Sequence, residues 1–249
     1  MNQSRLKYLL SVLSICLAQV SFGQTAISVK PFTKVIISPN IEVTFIEGNE
    51  ESVTIEHSAV SKDSLHIEVN DNTLRIYLEG QKDFPKNETT HDDGYKHKEA
   101  VYKGTVVTAT VTYKTLNDLS IRGEETQVCK STLNGKNFKI KIYGESQVIF
   151  NEVNFSQLQA TMYGESTLKI KSGTIKDQRY IAYGENNVDA FAITNKTTRI
   201  TAYGESNFQI NASETIKMTA YGDAKLEFKG SAQVNKGLTI GDVQITKVD

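Results

Sequence analysis

A glycine recurs through the second half of this chain at Gly123, Gly144, Gly164, Gly184, Gly204, Gly222 and Gly241, with spacings of 21, 20, 20, 20, 18 and 19 residues. Its surroundings repeat with it. They read Ile142-Tyr143-Gly144-Glu145-Ser146, Met162-Tyr163-Gly164-Glu165-Ser166, Ala182-Tyr183-Gly184-Glu185-Asn186, Ala202-Tyr203-Gly204-Glu205-Ser206 and Ala220-Tyr221-Gly222-Asp223-Ala224. Weaker copies flank these at Arg122-Gly123-Glu124 and Ile240-Gly241-Asp242. A fixed period near 20 residues indicates a solenoid. A unit this short cannot bury an apolar face alone, and identical units bury it by stacking.

Within each repeat the apolar residues alternate with polar ones. Ile142, Met162, Ala182, Ala202 and Ala220 stand two before the glycine, and Ile140, Ala160, Tyr180, Ile200 and Met218 four before. Val148, Leu168, Val188, Phe208, Leu226 and Ile245 stand four after it. Alternation with period two marks half-buried strands. Each repeat therefore reads as strand, glycine bend, strand and polar turn, with the glycine supplying positive φ or close backbone approach. The expected fold is all-β, a right-handed parallel β-helix of ~20-residue coils stacked ~4.8 Å apart. A leucine-rich repeat would need a Leu-x-x-Leu-x-Leu pattern, and a propeller blade would be about twice as long.

The first half has no such period. Candidate strands cover residues 34–37, 41–46, 52–56, 64–69 and 73–78, separated by hairpin-like turns at Pro39-Asn40, Gly48-Asn49 and Asp71-Asn72. A β-branched run over 101–113 leads into the repeats, and the stretch 80–98 reads as a long polar loop. The leader has Arg5 and Lys7 before an apolar run from Leu9 to Val20, too short to span a bilayer, and Ser21-Phe22-Gly23 suits cleavage before Gln24. The expected organisation is a signal peptide over 1–23, a β-rich portion over 24–98 and a repeat solenoid over 99–249. Export to the periplasm, outer surface or medium follows. Lipid anchoring through Cys16 is disfavoured by the bulky Ile15 before it.

Removal of the leader leaves one cysteine, Cys129, so no disulfide staples the fold. It also leaves 26 basic against 29 acidic residues, a charge of −3, which gives no pull toward nucleic acid. The mature chain contains no apolar run long enough for a transmembrane helix. His91, Asp92, Asp93 and His97 cluster in the polar stretch, yet match no metal-site spacing.

The opening Pro31-Phe32-Thr33-Lys34-Val35-Ile36-Ile37, then Ile41-Glu42-Val43-Thr44-Phe45-Ile46-Glu47-Gly48, Ser52-Val53-Thr54-Ile55-Glu56 and Asp71-Asn72-Thr73-Leu74-Arg75-Ile76, resemble the DUF2807 family. That family is labelled putative auto-transporter adhesin, head GIN domain. The resemblance covers roughly residues 31–230. It implies a secreted or surface β-solenoid of the kind common in Bacteroidetes-like bacteria, and it supplies no catalytic site. No run of alternating membrane strands follows the repeats, so surface delivery would use another system.

Two outward columns are the candidate site. Tyr143, Tyr163, Tyr183, Tyr203 and Tyr221 form one, and Glu145, Glu165, Glu185, Glu205, Asp223 and Asp242 the other. The tyrosines could stack on sugars, meet a protein, or serve as a structural ladder. The acids could be solvated, held by Ser146, Ser166, Asn186 and Ser206, or bind Ca²⁺, although the nine-residue Ca²⁺ repeat is missing. A glycosidase needs two carboxylates in unlike surroundings, and these are alike. No cofactor is expected. The leading expectation is a non-enzymatic, adhesin-like envelope protein meeting an unknown protein or glycan. A carbohydrate-active enzyme and a self-associating scaffold are the alternatives.

Overall fold

β-Branched and aromatic residues alternate with polar ones along most of this chain, and such a pattern fits a pleated, half-buried surface. The structure, a computed structural model, describes residues 26–82, 87–92 and 95–248. The leader and Cys16 lie outside the described residues. Strands account for nearly everything else, in one 19-stranded sheet and a separate two-stranded one. The described residues contain no α-helix, only a 3₁₀ turn at Lys62–Ser64. No helix among them is long and apolar enough to cross a membrane.

The repeats form a parallel β-solenoid of about six turns. Thr126–Cys129, Gln147–Phe150 and Thr167–Ile170 stack in parallel, as do Leu133–Gly144, Val153–Gly164 and Gly173–Gly184. Register is exact to the residue, with Tyr143 opposite Tyr163 and Gly144 opposite Gly164. Along residues 147–166 the inward positions are Val148, Phe150, Val153, Phe155, Leu158, Ala160, Met162 and Ser166, and Thr161, of outward parity, is covered to 9% exposure by its neighbours. The inward positions step by two within a flat side and by three or four at the corners, so each coil has three sides. The column two before the glycine is almost fully excluded from solvent in Ile142, Met162, Ala182, Ala202 and Ala220. Each fully buried Val, Leu, Ile, Phe or Met side chain contributes about 1.5–3 kcal/mol by leaving water.

The glycine corner has a steric cause. Gly164 has φ 98°, and a Cβ built there would lie 2.5 Å from the carbonyl oxygen of Gly144 in the previous coil. Only a residue without a side chain allows that turn and that approach together.

The first half extends the same stack. Lys34–Ile37 runs parallel to Asp118–Gly123 on one side and to Thr73–Leu78 on the other. Ile41–Glu47 runs parallel to Thr126–Cys129 and to Val107–Tyr113. The first coil in sequence is thus the second in space. Pro39-Asn40 was expected to close a hairpin; it instead turns a corner between two sides of one coil, with Asn40 at φ 68°. The turn at Asp71-Asn72 does close a hairpin, between Leu65–Asn70 and Thr73–Leu78. That hairpin, with Ser52–Ser58 antiparallel to Val107–Tyr113 and Ala26–Ser28 beyond it, finishes this end of the stack.

The stretch 80–98 differs from the loop expected of it. Asn87–Asp92 and Tyr95–Ala100 pair antiparallel as a hairpin, placing His91 opposite Lys96 and Thr90 opposite His97. An Asp-Gly pair between strand-compatible runs is, in a sequence, a strong local hairpin signal.

Candidate binding face

Odd-numbered residues from 177 to 183 point outward from the longest side of their coil, because Gln178, Tyr180 and Ala182 fill the core. This parity, repeated in each coil, places the tyrosines in one exposed row. Their rings lie 4.8–5.1 Å apart with interplanar angles of 3–6° from Tyr143 through Tyr163, Tyr183 and Tyr203 to Tyr221. The Arg122 guanidinium covers the first ring at 5.7 Å from its centroid. Stacking hides the ring faces, yet Tyr163, Tyr183 and Tyr203 stay 37–39% exposed, so their edges and hydroxyls are available. Partial burial, and then the neighbouring phenols, push the Tyr163 hydroxyl above its ordinary pKa.

The acid column follows across the corner. Glu145, Glu165, Glu185, Glu205, Asp223 and Asp242 are all exposed. Their backbones are tied down: Glu145 N–H donates to Gly123 O at 3.0 Å and Glu165 N–H to Gly144 O at 2.9 Å. Asp242 N–H donates to the Asp223 carboxylate at 3.0 Å. The next residue does not face the acids as expected. Ser146, Ser166 and Ser206 are buried and donate instead to Gly123 O, Gly144 O and Gly184 O at 2.8, 3.0 and 3.3 Å. Each of the carbonyls of Gly123 and Gly144 thereby accepts two hydrogen bonds, one amide and one hydroxyl. Among the described residues no group of three His, Cys, Asp or Glu side chains is placed to hold a metal ion. The side chains of His91, Asp92 and His97, and the whole of Asp93, lie outside the described residues.

Several interior polar residues escaped the pattern. Tyr180 is fully buried; its hydroxyl donates to Gln178 Oε1 at 2.6 Å, and Gln178 Nε2 donates to Thr198 Oγ1 at 3.0 Å. Gln127 clamps the first coil to the third. Its amide donates to Ile41 O at 2.8 Å and accepts from Val43 N–H at 2.9 Å. Alternation alone marks these places as inward but cannot say that a polar group there finds a partner. Cys129 is buried in the core, and burial pushes its thiol up, away from nucleophilic use.

Three solved structures share this architecture. A "putative adhesin" from Bacteroides fragilis superposes with TM-score 0.72 at 19% identity, over 90% of this chain and 95% of that one. A second, from Parabacteroides merdae, gives 0.66 at 18%, over 90% and 95%. A "putative lipid binding protein" from Parabacteroides distasonis gives 0.66 at 16%, over 90% and 96%. At such identities the likeness establishes the fold alone. No curated protein matches the sequence. The family model described as "Putative auto-transporter adhesin, head GIN domain" matches residues 31–232, most of the chain, and this protein belongs to that family, DUF2807.

Proposed function

We propose that this chain is an exported, adhesin-like binding module of the cell envelope, without catalytic activity, that meets a protein or glycan along its tyrosine and acid columns. The row of five parallel phenol rings with free edges carries the reading. Rigid aromatics offer contact area at little entropic cost, and Tyr can pair an apolar edge with a hydrogen-bonding tip. The family description and the names of two solved relatives agree with adhesion. Export rests on the leader sequence. Against catalysis stands the sameness of Glu145, Glu165, Glu185 and Glu205, all exposed at one repeating place; an acid–base pair needs its two members held apart in pKa.

The test is a screen of the purified protein against arrayed polysaccharides and glycoproteins. The triple variant Tyr163→Ser/Tyr183→Ser/Tyr203→Ser should lose binding while keeping its far-UV circular dichroism. A variant that folds and binds as well as the parent would remove the ladder as the site.

Self-association is the second reading, and the far end of the stack favours it. Leu238 and Ile240 are both 60% exposed there, and Val243 and Ile245 are only partly covered. Among the described residues, Gln233–Ile240 and Val243–Lys247 each have a neighbour strand on one edge alone. Open strand edges invite pairing with another chain. Light scattering should find dimers that Leu238→Lys/Ile240→Lys dissociates; a monomer at all concentrations contradicts this reading.

A further inference from the structure

We infer that the long side bearing the tyrosines takes an anionic polysaccharide, held by a column of cations that the Tyr-Gly-Glu signature obscures. This rests on the reading of that side as a binding surface and names the chemistry of its ligand.

Four residues before each tyrosine, on the same outward parity, lies a second column. Lys139, Gln159, Arg179, Arg199 and Lys217 stand in register through successive coils, and Asn235 continues the column opposite Lys217. Arg179, Arg199 and Lys217 are consecutive, exposed cations at the inter-strand spacing. An adjacent pair whose charges also lay ~4.8 Å apart would repel by about 0.9 kcal/mol even in water.

Three other lysines of the solenoid have carboxylate partners. Lys169 meets Asp189 of the next coil at 2.7 Å, and Lys196 meets Glu214 at 2.9 Å. Lys225 meets Glu227 at 2.6 Å. Among the described residues, Arg179, Arg199 and Lys217 have no carboxylate within ion-pair distance. The cation column thus stacks like on like without carboxylate partners, as the acid column stacks like on like across the corner.

The column lines a shallow groove of about 700 Å³ that crosses six coils. Its other outward groups are amides and hydroxyls, including Asn137, Gln157, Thr197 and Thr215. One acid, Asp177, shares the groove, and it already accepts a hydrogen bond from Thr197 Oγ1 at 2.6 Å. Cations at a regular interval among amides and hydroxyls match a polymer that repeats both anionic groups and hydroxyls along its length. Guanidinium groups bind carboxylate or sulfate through paired N–H donors. The far side of the tyrosines presents the acid column, which repels such a polymer and confines it to the groove. A lipid surface would need an apolar landing area beside the cations, and the intervening outward column is Lys141, Thr161, Ile181, Thr201 and Thr219, mostly polar.

The test titrates the full protein with polygalacturonate, dextran sulfate, neutral dextran and phosphatidylglycerol vesicles at low and high salt. Two further proteins run beside it: Arg179→Gln/Arg199→Gln/Lys217→Gln, and an equal-charge control, Lys130→Gln/Lys171→Gln/Lys176→Gln. The expected result is salt-sensitive binding of an anionic polymer and none of dextran, weakened about tenfold or more by the groove variant and unchanged in the control. The two polymers separate carboxylate from sulfate preference. Failure to bind either, equal loss in the control, equal binding of dextran, or binding of vesicles alone would each overturn the inference. The tyrosine variant keeps the two readings apart. Binding lost there but kept in the groove variant sinks the groove and leaves the ladder. Binding lost in the groove variant alone sinks the ladder and leaves the groove.

Discussion

Glu125 occupies the corner place that Ser146, Ser166, Asn186 and Ser206 hold in later coils, because Gly123 pairs with Gly144 two residues earlier. It is only 6% exposed. Burial pushes its carboxyl above the ordinary value of 4.5, while backbone amides of Glu124, Glu125 and Asn40 pull it partly back. A folded-state pKa above the unfolded one means that the folded state binds more protons. The stability is then fullest below the unfolded pKa and declines as pH rises through the folded value. Urea melts from about pH 4 to about pH 7 should show that decline, and Glu125→Gln should remove it, gaining ~1 kcal/mol at neutral pH. Parallel pH profiles for the two proteins would contradict the assignment. The repeat frame locates Glu125 in the sequence, but its inward turn was not legible there. Ser146 and Ser166 were equally misleading, since a serine beside a glutamate looks like its partner. Only the pairing register reveals that the nearer acceptor is a glycine carbonyl of the previous coil.

Strand positions were more legible than strand partners. Residues 34–37 and 73–78 were found to the residue, because alternation and turn residues are local signals. Their pairing is not local. Lys34–Ile37 meets Asp118–Gly123 across about eighty residues of chain, and nothing in either strand names the other. The hairpin at Asn87–Asp92 and Tyr95–Ala100 belongs to a sheet of its own. Without a neighbour from the solenoid, its amides rest on one strand pair, which is marginal in water. Hydrogen exchange should therefore release the amides of 87–92 and 95–100 orders of magnitude faster than those of Val153–Gly164. Equal protection would mean that the hairpin docks on the stack.

At the scale of the molecule, a repeat array is held together by neighbour contacts, so coils are close to interchangeable. Deleting residues 167–186, one whole coil, joins Ser166 to Asn187, and Asn187 already pairs in register with Thr167. The shortened protein should fold with the same far-UV circular dichroism and a melting temperature within several degrees of the parent. Loss of cooperative melting would show that the coils are not equivalent. Among the described residues, one end of the array carries antiparallel strands and the other a parallel edge, which gives the array a direction. The tyrosine row spans that direction as five phenol chromophores held nearly parallel, neighbouring centroids 4.8–5.1 Å apart. Their transition dipoles must couple, so the absorption and near-UV dichroism of the row belong to the ensemble of rings and not to any one of them. A slip of one coil by a single residue would uncouple them, and the protein thus reports its own register in light.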